Sequence, residues 1–236
     1  IMGSRVAAEV LAKGDKDLSR KIRLPKKEKE PKINADDFSD IRLLVHTQPR
    51  MTNIGKKKPE VFEMHMGGSN AEKLAYAKEH FGKEIAIKDV FKDGQQVDIH
   101  AVTKGKGFQG AIKRFGIHRK PSKSEKGTRA PGTLGGWVAQ GHFMYRVPHA
   151  GDMGFHQRTE FNKLILKVGD KPEEVNPEGG FLHYGNVKNN FLIIKGGVAG
   201  PANRIVRFTL ATRPNRKYDG FVPELKNIDL RSKQGR

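Results

Sequence analysis

Cysteine is absent from this chain of 236 residues, which excludes a disulfide framework, a thiolate metal site and a cysteine nucleophile. Long apolar runs are absent too. The strongest candidate, FLIIKGGVAG at residues 191–200, is broken by Lys195 and by glycines, well short of the roughly 20 residues that a spanning helix needs. The opening residues IMGSRVAAEVLAKGDKD contain no secretory apolar core, so export is not expected and a reducing cytoplasmic setting fits. Because Ile1 and Met2 stand at the start of what reads as ordinary folded sequence, an N-terminal segment is expected to be missing from the chain. Acidic residues are scarce. Asp and Glu number 26 against 45 Lys and Arg, a formal net charge of +19, more than solubility requires. Such an excess implies a polyanionic partner, and without membrane features that partner is nucleic acid.

At 36% hydrophobic residues the chain can still bury a core. Residues 5–12 are apolar without a deciding period, and residues 21–32, with Pro25 and Pro31, read as an exposed charged loop. IRLLVHTQP at 41–49 predicts a strand stopped by Pro49, and NIGKKKPE a second basic loop. SNAEKLAYAKEHFG at 69–82 carries the best helix signature. Ser69 and Glu72 form a capping box, Leu74, Ala77 and Phe81 share a face, and Gly82 can close the end in a left-handed conformation. From residue 96 the period becomes alternating: VDIHAVT, KLILKVG, NNFLIIKG and RIVRFTLAT predict strands joined by turns such as NPEGG and GPAN.

Between the first two of these strands, roughly residues 104–160 show no period of either kind. Over Lys104–His149 ten cations, Lys104, Lys106, Lys113, Arg114, Arg119, Lys120, Lys123, Lys126, Arg129 and Arg146, face one acid, Glu125. A segment so cationic and so poor in apolar residues cannot offset its ordering entropy by burial. An anion has to order it. The only tryptophan, Trp137, lies among its glycines with no periodic apolar face around it, a setting that suits stacking on a nucleobase.

Three sharper motifs compete for this segment. Gly105, Gly107 and Gly110 match G-x-G-x-x-G after a strand, the spacing of a dinucleotide turn. The following helix would be AIKRFGIHRKP, interrupted by Gly116 and ended by Pro121, and no parallel strand ending in an acid follows at about 20 residues. A nucleotide- or RNA-acting enzyme using the Gly105–Gly110 turn is therefore the alternative, not the first choice. His142, His149 and His156 recur every seven residues, but no cysteine or carboxylate joins them at zinc-like spacing. Ser122, Asp152 and His156 could be written as a triad, yet no G-x-S-x-G elbow is present. A long glycine-rich basic excursion suits close-packed phosphates of structured RNA better than a DNA groove, where a compact helix is the usual reader.

The stretches AVTKGKGFQGAIKRFG, GWVAQGHFMYRVPHAGDMGFHQRTEFNK and GGFLHYGNVKNNFLIIKGGVAGPANRIVRFTLATRP resemble the family of the universal large-subunit ribosomal protein number three in its archaeal form, as do LLVHTQP and GKKKPEVFEMHMGG. The resemblance covers nearly the whole chain. It implies a mainly β, α+β fold: a translation-protein-type β-barrel with a helical insertion and a long irregular extension that penetrates ribosomal RNA. Residues 1–95 would hold part of the barrel and the insertion, 96–214 the barrel core interrupted by the extension at about 104–160, and 215–236 a C-terminal tail. By resemblance Trp137 falls at the extension's tip, near the peptidyl-transferase centre. Lys104, Lys106, Lys113, Arg114, His156, Gln157 and Arg158 match segments that contact 23S-type RNA. The charge pattern adds Arg119, Lys120, Arg129 and Arg146, although KPSKSEKGTRA at 120–130 is poorer in arginine than the family pattern. The implied function is that of a structural, non-enzymatic constituent of the cytoplasmic ribosome, aiding subunit assembly. Its partners would be 23S-type rRNA and neighbouring large-subunit proteins, with no cofactor, metal, membrane or small-molecule substrate.

Overall fold

A computed structural model describes residue 10 and residues 16–24, 34–123, 126–136 and 145–231. Trp137, His142, Glu125 and most of residues 5–12 and 25–32 lie outside the described residues. The elements are mixed: few and short helices among antiparallel strands, an α+β arrangement. They divide between two compact units, one drawn from residues 1–95, 165–193 and 222–236, the other from 96–164 and 194–221.

In the first unit β1 (Arg42–His46) pairs antiparallel with β2 (Val61–His65), Leu44 opposite Glu63. Pro49 does end the strand region, because it opens a 3-10 turn, Pro49–Met51, instead of extending the ladder. Helix α1 (Asn70–Glu79) begins where the capping box predicts. The Ser69 hydroxyl accepts the Glu72 N–H while the Glu72 carboxylate accepts the Ser69 N–H at 2.8 Å, satisfying donors that the first helical turn leaves free. Gly82 takes a left-handed φ of +72°, but the helix has already closed at His80, whose N–H reaches the Tyr76 carbonyl. No residue of α1 is buried, so its local caps matter more than a packed face. A short helix, α2 (Ile87–Val90), follows. Strand β7 (Phe191–Ile194) pairs with β6 (Gln157–Gly169), and at Gly169 any Cβ would run into the Phe191 ring. Leu18, Ile165 and Phe191 are buried here.

The second unit is organised on β3 (Gln96–Val102), which lies between β6 and β8 (Arg207–Leu210), antiparallel to both. Alternation puts Val97, Ile99 and Ala101 on one face, and all three are buried, Val97 and Ile99 completely. The other face reads as polar and would ordinarily be solvated. Instead Gln96 and Asp98 are buried as well, and their hydrogen bonds make this tolerable. Gln96 donates to the Asn215 carbonyl and accepts the Asn215 N–H, each at 2.9 Å. Asp98 accepts the N–H groups of Asn162 and Thr212. The ring nitrogens of His100 lie 2.9 Å from the Thr159 hydroxyl on β6 and 3.3 Å from the Thr209 hydroxyl on β8.

Strand β6 begins at Gln157, ahead of the KLILKVG run that announces it. Its early residues QRTEFN show no apolar alternation, because pairing with β3 and not burial makes them a strand. The ladder also contains a bulge: Val97 faces Lys163 while Ile99 faces Glu160, so β6 carries one residue more than β3 over this step. Asn162, at a left-handed φ of +54°, sits in the bulge.

Candidate RNA interface at the base of the excursion

Where β3 ends the chain leaves the sheet and later returns beside itself, forming a stalk of two arms. The outgoing arm contains β4 (Phe108–Gln109) and the five-residue helix α3 (Ala111–Phe115); the returning arm contains β5 (Gly151–Asp152), which pairs with β4. Backbone bonds zip the arms together: Thr103 N–H to the His156 carbonyl at 3.0 Å, Lys106 N–H to Met153 at 2.8 Å, and Met153 N–H to Gly107 at 2.9 Å. The Thr103 hydroxyl accepts the His156 N–H at 3.1 Å. These bonds join the two arms at the base of the excursion.

Of the three glycines, Gly107 alone has a left-handed backbone. Gly107 turns the chain at φ +66°, and Gly110 precedes α3 with room for a side chain. Gly105 has an ordinary φ and lies against Phe155. The helix ends at Gly116, φ +69°, whose N–H closes on the Ile112 carbonyl. On the opposite arm Gly154 is the stricter requirement, since its φ is +78° and a Cβ would strike the Lys104 carbonyl.

Two arginines staple the stalk. Arg114 donates from Nε to the Asp152 carbonyl at 3.1 Å and from Nη1 to the His149 carbonyl at 3.0 Å, tying α3 to the returning arm, and its guanidinium stands 5.0 Å over the Phe115 ring. Arg204 donates from Nη1 to the carbonyls of Val102 at 3.0 Å and Thr103 at 2.9 Å, and covers the Phe155 ring at 5.2 Å.

Between the arms opens a pocket of about 540 Å³ lined by Thr103, Lys104, Lys106, Arg114, Phe115, Asp152, Met153, Gly154, His156 and Arg158. Five residues expected to meet phosphate, Lys104, Lys106, Arg114, His156 and Arg158, thus share one concavity. Lys113 and Gln157 are exposed nearby but do not line it. Arg119 and Arg129 are exposed farther along, Lys120 is half-buried with its N–H on the Thr128 carbonyl, and Arg146 lies over the Tyr145 ring at 5.6 Å. Ion pairs among the described residues include those on Asp17, Asp40 and Glu60, away from the stalk. Lys104, Lys106, Arg114 and Arg158 share the pocket lining with one carboxylate, Asp152, so the lining carries a net positive charge. Among the described residues there is also no group of three His, Cys, Asp or Glu side chains that could hold a metal, and no helix long and apolar enough to cross a membrane.

The family profile of ribosomal protein L3 matches residues 13–235. The chain is 47% identical over 230 residues to the large ribosomal subunit protein uL3 of Methanocaldococcus jannaschii, covering 94% of this chain and 68% of that protein. The chain belongs to the ribosomal protein L3 family. Further members are the uL3 proteins of Methanococcus vannielii, 48% identical over 242 residues, and Methanobrevibacter smithii, 44% identical over 246, each match covering 99% of this chain and 72% of the relative.

In this L3-family chain the sequence pattern missed the phenylalanines. Phe108 is 73% exposed, Phe155 69%, Phe161 65% and Phe115 52%, a costly display of apolar rings for a surface without a partner. The signal was present, in rings set among cations and glycines as in KGKGFQG and KRFG. Arg204, far along the chain in a turn after GPAN, carried no such signal.

Proposed function

We propose that this chain is a structural constituent of the large subunit of the cytoplasmic ribosome, that it is not an enzyme, and that it holds 23S-type rRNA with its basic stalk. Its further partners are the neighbouring large-subunit proteins. The observation that carries the rRNA role is the cationic concavity at the stalk base, where four Lys and Arg side chains line one pocket with a single carboxylate, Asp152, in a chain whose relatives are named large ribosomal subunit proteins. Lys104, Lys106, His156 and Arg158 meet phosphates there, Arg114 holds the arms that present them, and Lys113, Gln157, Arg119, Lys120, Arg129 and Arg146 extend the contact along the excursion. Trp137 is assigned to the tip, near the peptidyl-transferase centre. The antiparallel strands belong to a translation-protein-type β-barrel, interrupted by the extension at about residues 104–160 and preceded by the helical insertion within residues 1–95.

The enzyme alternative finds no support in the turn. Both neighbours of β3 run antiparallel to it, and the helix after Gly110 has five residues, whereas a dinucleotide turn belongs to a parallel βαβ unit. Salt titration of rRNA binding tests the proposal: with about six to ten phosphate contacts, affinity should fall by about 10³ to 10⁵ between roughly 50 and 200 mM salt. A flat response, or saturable binding of ATP or NAD, would count against it.

A further inference from the structure

The pocket is not lined by cations alone. Phe115 forms part of its wall and Phe155 stands between two of its lining residues, Gly154 and His156. Each ring has a guanidinium over it, Arg114 over Phe115 and Arg204 over Phe155. Each of those guanidiniums is itself fixed to backbone carbonyls. The rings are therefore held in place before any ligand arrives, and more than half of each remains exposed. A phosphate-only contact to a continuous duplex has no use for such surfaces, since the bases of a helix are stacked on one another and present only their edges. An unpaired nucleotide does use them, because every base has a π face and base–aromatic stacking tolerates any sequence.

We infer that the stalk pocket seats an unpaired nucleotide of RNA, with its phosphate among Lys104, Lys106, His156 and Arg158 and its base laid on the ring of Phe115. This deepens the rRNA-binding proposal and rests on it. The ligand class is a looped or bulged RNA segment, not an uninterrupted A-form helix. Pre-fixing the ring lowers the ordering cost of the contact, and the pocket offers about 540 Å³ beside it.

The test uses the full chain and two labelled RNAs, a single-stranded oligonucleotide and a blunt duplex with the same number of phosphates, in fluorescence-anisotropy titrations at several salt concentrations. Wild-type protein should bind the single strand more tightly than the duplex. Phe115→Leu keeps apolar bulk without the aromatic face; it should weaken single-strand binding about tenfold, leave the salt slope unchanged, and leave duplex binding unchanged. Lys104→Ala should weaken both RNAs and reduce the salt slope by about one. Phe181→Leu, an exposed ring outside the stalk, serves as the control, and thermal melting checks that each variant is folded. Equal affinity for the two RNAs, with Phe115→Leu behaving as wild type, overturns the inference. If salt-dependent RNA binding persists in that case, only the unpaired-nucleotide site falls; if no salt-dependent RNA binding is seen at all, the rRNA proposal falls with it.

Discussion

The Asp98 carboxylate accepts the backbone N–H of Asn162 at 2.9 Å, from the residue that the β6 bulge has pushed out of register with β3. Its second oxygen accepts the Thr212 N–H at 3.0 Å. One buried acid thus satisfies a donor on each side of the central strand. Burial pushes the Asp98 carboxyl up, but the bonds from Thr212 and Asn162 and the charge of His100 outweigh it, and the group sits below the ordinary carboxylate range. A lowered native value means that the stabilisation is complete above the ordinary range and is lost as pH falls through the native value. Asp98→Ala should cost about 1 to 3 kcal/mol, because two part-buried N–H groups lose their acceptor. Urea denaturation at neutral pH measures this; a loss below about 0.5 kcal/mol, within the scatter of surface substitutions, would contradict the role.

Asp40 makes a separate acid-sensitive point in the first unit. Its hydrogen bond from Lys73 at 2.7 Å, with that from Arg42 at 3.1 Å, lowers its pKa from 3.8 to about 2. The contribution of this cluster is therefore present above pH 3.8 and fades towards about pH 2. The difference in melting temperature between wild type and Asp40→Asn should be constant near neutrality and shrink across that interval. A difference that grows on acidification would have the wrong sign.

Arg114→Ala should loosen the stalk without unfolding the chain. Hydrogen exchange at the Lys106 and Met153 amides, which bond across the arms, is expected to speed up while the amides of β3 keep their protection. Arg114→Lys should not restore the slow exchange, since a single ammonium cannot reproduce the fork that reaches the Asp152 and His149 carbonyls. Unchanged exchange in both variants would remove Arg114 from the staple.

Gly154→Ala tests the same joint from the backbone. Its positive φ and the contact with the Lys104 carbonyl should cost the stalk about 1 to 3 kcal/mol. Faster exchange of the Thr103 and Lys106 amides is the expected readout, and wild-type rates would show that the arms can part at no cost.

Local chemistry was legible in the sequence. Ser69 and Glu72 cap α1 as their spacing predicts, Gly116 stops α3 before Pro121 is reached, and Val97, Ile99 and Ala101 mark the core face of β3. Partners brought from far along the chain were not. The polar face of β3 alternates as a solvated edge would, and only the distant Asn162, Thr209, Thr212 and Asn215 explain why it is buried. Lys104, Lys106 and Arg114 were read from charge, His156 and Arg158 from the family resemblance, and all five line one pocket. That Arg114 spends its hydrogens on carbonyls, and that Arg204 arrives to hold Phe155, depends on tertiary contacts that no spacing rule encodes.

The central claim, that the cations of the stalk pocket attach this chain to the large subunit, is tested most directly by sedimentation. Wild-type protein and a folded Lys104→Gln, Lys106→Gln, Arg158→Gln variant would each be added to large subunits assembling from 23S-type rRNA, then followed through a sucrose gradient. The wild-type chain should travel with the large subunit and the variant should remain largely at the top. Equal incorporation of the two would contradict the account.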